Sequence, residues 1–105
     1  MTTEPTGTIT LVVTIQFKPD KEETFLANAA NFAEWVHANE LGTLAYFLTK
    51  HPTREHSYVW VERYRDEAAL EAHRTSPQLA EALKVVRECL DGPPELLRLE
   101  QVIPG

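Results

Sequence analysis

The run Tyr58-Val59-Trp60-Val61-Glu62-Arg63-Tyr64 alternates with a period of two, and the segment after it, Asp66 to His73, changes to helical spacing. A period of two sends successive side chains to opposite faces of a strand, so Tyr58, Trp60, Glu62 and Tyr64 share one face. Asp66 is suited to the N-cap of a helix carrying Ala68, Ala69, Leu70 and Ala72. Ser76 offers a second N-cap, with Pro77 in the first helical position. Leu79, Leu83, Val86 and Leu90 then form a buried stripe, and Asp91-Gly-Pro-Pro94 ends it. A last strand is expected from Glu95 to Ile103.

The first half of the chain repeats this logic. Ile9, Leu11, Val13, Ile15 and Phe17 alternate with Thr10, Val12, Thr14 and Gln16, which gives a strand from Thr8 to Lys18. Pro19-Asp20 ends it, and Asp20 with Glu23 has capping-box spacing. A helix should run to about Glu40, with Phe25, Ala29, Phe32 and Val36 on one stripe, widened by Leu26 and Ala33. Gly42 stands where a left-handed cap is common. Thr43 to Lys50 forms a second strand, with Leu44, Tyr46 and Leu48 on one face, and a short polar loop joins it to a third strand, His56 to Arg65. The order is β-α-β-β-α-β with the second helix broken in two. The fold class expected is α+β, ferredoxin-like, an antiparallel sheet with helices on one face. With 105 residues there is one domain, residues 8–105, behind a flexible lead of residues 1–7.

The Ile9-to-Phe17 face is the more apolar and should meet the helices. The opposite face carries Val12, Phe47, Val59 and Val61 among Thr10, Thr14 and Arg63. A patch of that kind points to a partner, and a twofold homodimer through the sheet face is the simplest cover. The net charge of -6 argues against nucleic acid and anionic membrane surfaces. No apolar run approaches a membrane span, and Met1 to Gly7 lacks the basic and apolar regions of a signal peptide. Cys89 is the single cysteine, so no intrachain disulfide forms, and it is read as a packing residue. These features suit a cytoplasmic protein.

Three aromatic residues and Glu62 on one strand face allow two readings: a packed core with its polar groups satisfied, or an apolar cavity with a few polar groups. In a packed core Glu62 would bond backbone N–H groups, Arg63 or Arg65. His73 at a helix end could bond the last carbonyls. It could instead act as a general base at a cavity mouth, since imidazole titrates near neutral pH. His37, His51 and His56 look like surface residues. No His, Cys or carboxylate spacing suits a metal, and no Gly-rich phosphate loop or Gly-x-Ser-x-Gly is present.

Pro19-Asp-Lys-Glu-Glu23, Gly42-Thr-Leu-Ala-Tyr46, Val61-Glu-Arg-Tyr64, Ala68 to His73 and Ser76-Pro77, in this order and spacing, resemble the antibiotic biosynthesis monooxygenase family over nearly the whole domain. The resemblance implies a dimeric α+β barrel with a cavity between each sheet and its own helices. It implies a cofactor-independent monooxygenase that oxidises a small aromatic, phenolic or quinol-like compound with molecular oxygen, with no metal. By that likeness Tyr64 and Tyr46 orient the substrate, His73 or Glu62 assists proton transfer, and Trp60 forms a wall. Val13, Phe32 and Leu83 are the further substrate-binding positions. Two departures stand out. The family's strand usually ends Glu-Arg-Trp, where this chain has Tyr64, and its second helix often opens Ser-Pro-His-Phe, where this chain has Gln78 and Leu79. A haem-degrading branch uses an asparagine, a tryptophan and an axial histidine at positions matching Val13, Tyr64 and Leu83, so haem degradation is not expected. The alternatives are a relative that binds or isomerises a small ligand without oxygen, and a structural dimer with a filled core.

Overall fold

A computed structural model describes residues 7–103. All but Gly7 of the expected lead therefore lies outside the described residues. The elements are β1 (Ile9–Gln16), α1 (Glu22–Asn39), β2 (Thr43–Lys50), β3 (Ser57–Tyr64), α2 (Glu67–Arg74), α3 (Pro77–Cys89) and β4 (Glu95–Glu100). The four strands form one antiparallel sheet in the order β2-β3-β1-β4. This is the ferredoxin-like α+β arrangement expected from the alternation.

Ile9, Leu11, Ile15 and Phe17 are buried beneath the helices. Phe17 and Phe25 stack at 3.7 Å between ring centroids and are both fully buried. Burying such a side chain contributes about 1.5–3 kcal/mol. From α1, Phe25, Ala29, Phe32 and Val36 face the sheet, as their spacing predicts. The helix α3 packs chiefly on α1 rather than on the sheet, and this leaves space above β1 and β4. The opposite sheet face is open in the single chain, with Phe47, Leu97 and Leu99 exposed. Among the described residues no helix is long and apolar enough to cross a membrane.

The caps of α2 and α3 are those the sequence implies: Asp66 Oδ1 accepts from Ala69 N at 2.9 Å, and Ser76 Oγ from Leu79 N at 3.1 Å. Four other expectations need correction. Asp20 does not cap α1, because Pro19–Lys21 forms a separate 3-10 turn and the residue before α1 is Lys21. Gly42 is not left-handed. It is needed because α2 passes so close that a Cβ there would lie 2.5 Å from Ala69 Cβ. Leu44 does not share the face of Tyr46. The register shifts between Thr43 and Ala45, so Thr43 pairs with Tyr64 and Leu44 is exposed. The last strand stops at Glu100, which pairs with Ile9, the first residue of β1.

Candidate functional site

The register of the sheet sets the site. On the helix-facing side, Tyr46, Glu62 and Leu11 lie in one cross-strand row, and Leu48, Trp60, Val13 and Leu96 in the next. Alternation from Ile9 and Tyr58 therefore delivers a carboxyl and two large rings to the space beneath α3. A cavity of about 250 Å³ occupies that space. The sheet supplies Leu11, Val13, Ile15, Tyr46, Trp60 and Glu62 to its wall. From the helices come Phe32, His73, Leu83 and Val86, and Pro94 and Leu96 stand at its exposed rim. A void of this size counts against a filled core.

The polar groups gather at one end. His73 is 5% exposed, and its ring lies 5.3 Å from Tyr46, 5.8 Å from Phe32 and 5.2 Å from Tyr64, centroid to centroid. Its Nδ1 meets Glu40 Oε1 at 2.9 Å and Oε2 at 3.1 Å. Thr43 Oγ1 donates to the same Glu40 Oε1 at 2.7 Å and holds the carboxylate in place. Among the described residues Nε2 of His73 takes no partner, and no buried polar side-chain atom is left unsatisfied. Nε2 is therefore open to the cavity that His73 lines. A carboxylate on Nδ1 selects the tautomer with its proton there and leaves Nε2 as the acceptor. His73 thus does not bond the carbonyls of its own helix end through its side chain.

Glu62 is also buried, and Tyr64 donates to its Oε1 at 2.6 Å. Neither Arg63, which donates to Gln101, nor Arg65, which pairs with Asp66, reaches it. Burial pushes the Glu62 carboxyl above its ordinary range, against the pull of the Tyr64 hydrogen bond. Burial, reinforced by the charges of Glu62 and Glu40, likewise raises Tyr46, so its hydroxyl keeps its proton. Tyr46 and Trp60 lie 4.5 Å apart at 30°, forming a slanted aromatic floor.

The structure brings His73, Glu62, Tyr46, Trp60, Val13, Phe32 and Leu83 to one cavity. Tyr64 sits behind Glu62, fully buried, and does not line it. Sequence reasoning missed Glu40, Thr43 and Asn28. A faint signal existed for Glu40: a carboxylate at a helix C-terminus opposes the macrodipole, a local cost that points to a tertiary partner. Asn28 lines the cavity, and its Nδ2 donates to the Ala82 carbonyl at 3.1 Å, tying α1 to α3. Of the other histidines, His37 bonds the Tyr46 carbonyl, His51 Nδ1 accepts from Thr53 N and Arg54 N, and His56 meets Glu22 at 2.9 Å. His37 is exposed as expected, whereas His51 and His56 are half-buried rather than free surface residues. Among the described residues no group of three His, Cys, Asp or Glu could hold a metal ion.

The sequence model of the antibiotic biosynthesis monooxygenase family matches residues 8–85. The chain belongs to the antibiotic biosynthesis monooxygenase family. It is 30% identical over 92 residues to "Putative monooxygenase YcnE" of Bacillus subtilis, covering 88% of this chain and 96% of that protein. Among solved structures it is similar to a "putative antibiotic biosynthesis monooxygenase" from Caulobacter crescentus, with a TM-score of 0.90, 30% identity, and 95% and 94% of the two chains covered. Rv0793 of Mycobacterium tuberculosis shares the fold, with a TM-score of 0.84 at 24% identity and coverage of 92% and 97%. For this member of the family, the cavity and the His73–Glu40 pair are the features on which a function can be built.

Proposed function

We propose that the protein is a cofactor-independent monooxygenase acting on a small phenolic or quinol-like aromatic compound. Family membership supports a monooxygenase-like role in general terms. The observation that carries the finer reading is the His73–Glu40 pair at the polar end of an otherwise apolar cavity. Nε2 of His73 takes the proton of the substrate hydroxyl, and Glu40 stabilises the imidazolium that results. The Tyr46 hydroxyl, held protonated, donates to the substrate oxygen. Trp60 and Phe32 hold the ring, and Val13, Leu83 and Val86 exclude water. The phenolate so formed is electron-rich enough to react with molecular oxygen. One oxygen atom enters the ring, the other leaves as water, and the phenol becomes a quinone, so the substrate supplies all the electrons.

The same reading includes a homodimer through the open sheet face, where Val12, Phe47, Val61, Leu97 and Leu99 would be covered. Sedimentation equilibrium is the check, and a monomer at micromolar concentration removes this part. For the activity, oxygen uptake is measured with naphthols, reduced naphthoquinols and polycyclic phenols against protein-free controls. Saturable, protein-dependent uptake that yields the quinone from the naphthols and phenols and the hydroxyquinone from the naphthoquinols, and that falls at least 100-fold in His73→Ala, is expected. No uptake across the panel overturns the oxygenase reading.

A further inference from the structure

Glu62 is the sole acidic side chain lining the cavity among the described residues; Arg74 lines it too but pairs with Glu71, and among the described residues no salt bridge reaches Glu62. Its Oε1 is occupied by the Tyr64 hydroxyl. Among the described residues its Oε2 takes no partner and no buried polar side-chain atom is unsatisfied, so Oε2 is open to the cavity. A carboxylate buried without a cation is costly, and the group lowers that cost by keeping its proton. Burial favours the protonated form of Glu62, and with Oε1 accepting from Tyr64 that proton would sit on Oε2, facing the cavity. The site therefore places a base, Nε2 of His73, and a carboxyl able to donate from Oε2, that of Glu62, at the same end.

We propose that this pair also catalyses oxygen-independent keto–enol tautomerisation of small ring-fused ketones carrying an enolisable C–H. The inference rests on the same base as the oxygenase reading, because removing a proton is the first half of both. His73 Nε2 takes the α-proton. The electron pair of that C–H bond becomes the C=C bond, and the carbonyl π pair moves onto oxygen. Glu62 donates a hydrogen bond to that oxygen as charge develops and keeps its own proton. The imidazolium of His73 then hands the proton it took to the enolate oxygen, giving the enol, so no proton or electron is gained or lost. A neutral carboxyl donor aimed at a developing enolate is worth a large factor in such chemistry because it needs no reorganisation in a dry site.

The test is α-hydrogen exchange of 2-tetralone in D2O under argon, followed by NMR with the whole protein and with a protein-free control. The wild-type chain is expected to accelerate exchange, and His73→Ala to lose at least 100-fold of the acceleration. Glu62→Gln keeps a neutral donor and should stay within about 10-fold of wild type, whereas Glu62→Leu should lose about 100-fold. No acceleration by the wild type overturns the proposal. So does Glu62→Gln losing as much as Glu62→Leu, because a carboxylate base and not a donor would then be at work. If Glu62→Leu fails to fold, the comparison of the near-isosteric Glu62→Gln with wild type still decides. Argon separates the two readings. Exchange without oxygen uptake in the aerobic assay sinks the oxygenase reading alone, and uptake without exchange sinks this one alone.

Discussion

Gly42→Ala tests how tightly the fold holds the site. The backbone at Gly42 is not left-handed, so an alanine could adopt it. The obstacle is Ala69: the added Cβ would lie 2.5 Å from Ala69 Cβ and 3.5 Å from its Cα. Neither neighbour can rotate away, so α2 must move. Overpacking of this kind costs about 1–3 kcal/mol, and the lost unfolded-state entropy of glycine returns about 0.4–1 kcal/mol. The net expectation is a loss of roughly 1–2 kcal/mol, which lowers the thermal midpoint by roughly 4–16 °C. Ala69→Gly alone should cost about 1 kcal/mol through helix propensity. In the double variant the clash is gone, so its stability should lie within about 0.5 kcal/mol of wild type. The assay is urea unfolding followed by far-UV circular dichroism for all four proteins. A double variant that loses the sum of the two single effects would refute the close-approach argument. The same shift has a functional reading, since Ala69 and His73 are one helical turn apart and lie on one face of α2. Moving that face draws His73 away from Glu40.

Three further outcomes are expected. Glu40→Gln should leave the fold intact and cut turnover by about 10–100-fold, because the amide no longer stabilises the imidazolium; unchanged turnover removes Glu40 from the mechanism. Glu22 is held below its ordinary value of 4.5 by hydrogen bonds from Tyr58 and His56, so its contribution to stability is present above that value and is lost as pH falls through the lowered folded pKa. Urea midpoints from pH 7 to pH 3 should therefore fall more for wild type than for Glu22→Gln, and parallel curves would count against the assignment. Leu83→Trp should fill part of the 250 Å³ cavity and cut substrate affinity at least 10-fold, about 1.4 kcal/mol, without lowering the thermal midpoint; unchanged affinity would place the substrate elsewhere.

The sheet, its order and its buried face were legible because a two-residue period has few alternatives. Ile9 to Phe17 and Tyr58 to Tyr64 each admit one register once their apolar face is turned inward. Local chemistry also read correctly at Asp66 and Ser76, whose caps need nothing beyond their own helices. Legibility failed where a distant element decides. Gly42 has the sequence of a cap, but α2 makes it glycine. Leu44 has the phase of Tyr46, but a register shift expels it. Glu40 has the look of a surface acid, and only the packing of α2 against the end of α1 gives it His73. The site was half visible for the same reason. Residues on β3 announce themselves by alternation, while the partner that selects the tautomer of His73 lies 33 positions away in sequence.

Where the core departs from good packing is itself informative. A cavity of about 250 Å³, open at the rim by Pro94 and Leu96, leaves apolar side chains such as Leu11, Val13 and Phe32 short of packing partners on one side. α3 could close the space by settling onto β1 and β4, yet Asn28 and the α1–α3 contact hold it off. Glu62 and His73 are also more costly in a core than apolar residues of similar volume. Both departures meet in one cavity, whereas Phe17 and Cys89, which do not line it, are fully buried. Folding alone gives no reason for the void and the uncompensated carboxyl to coincide. Binding and proton transfer give one, since a site needs room for a substrate and ionisable groups that face it.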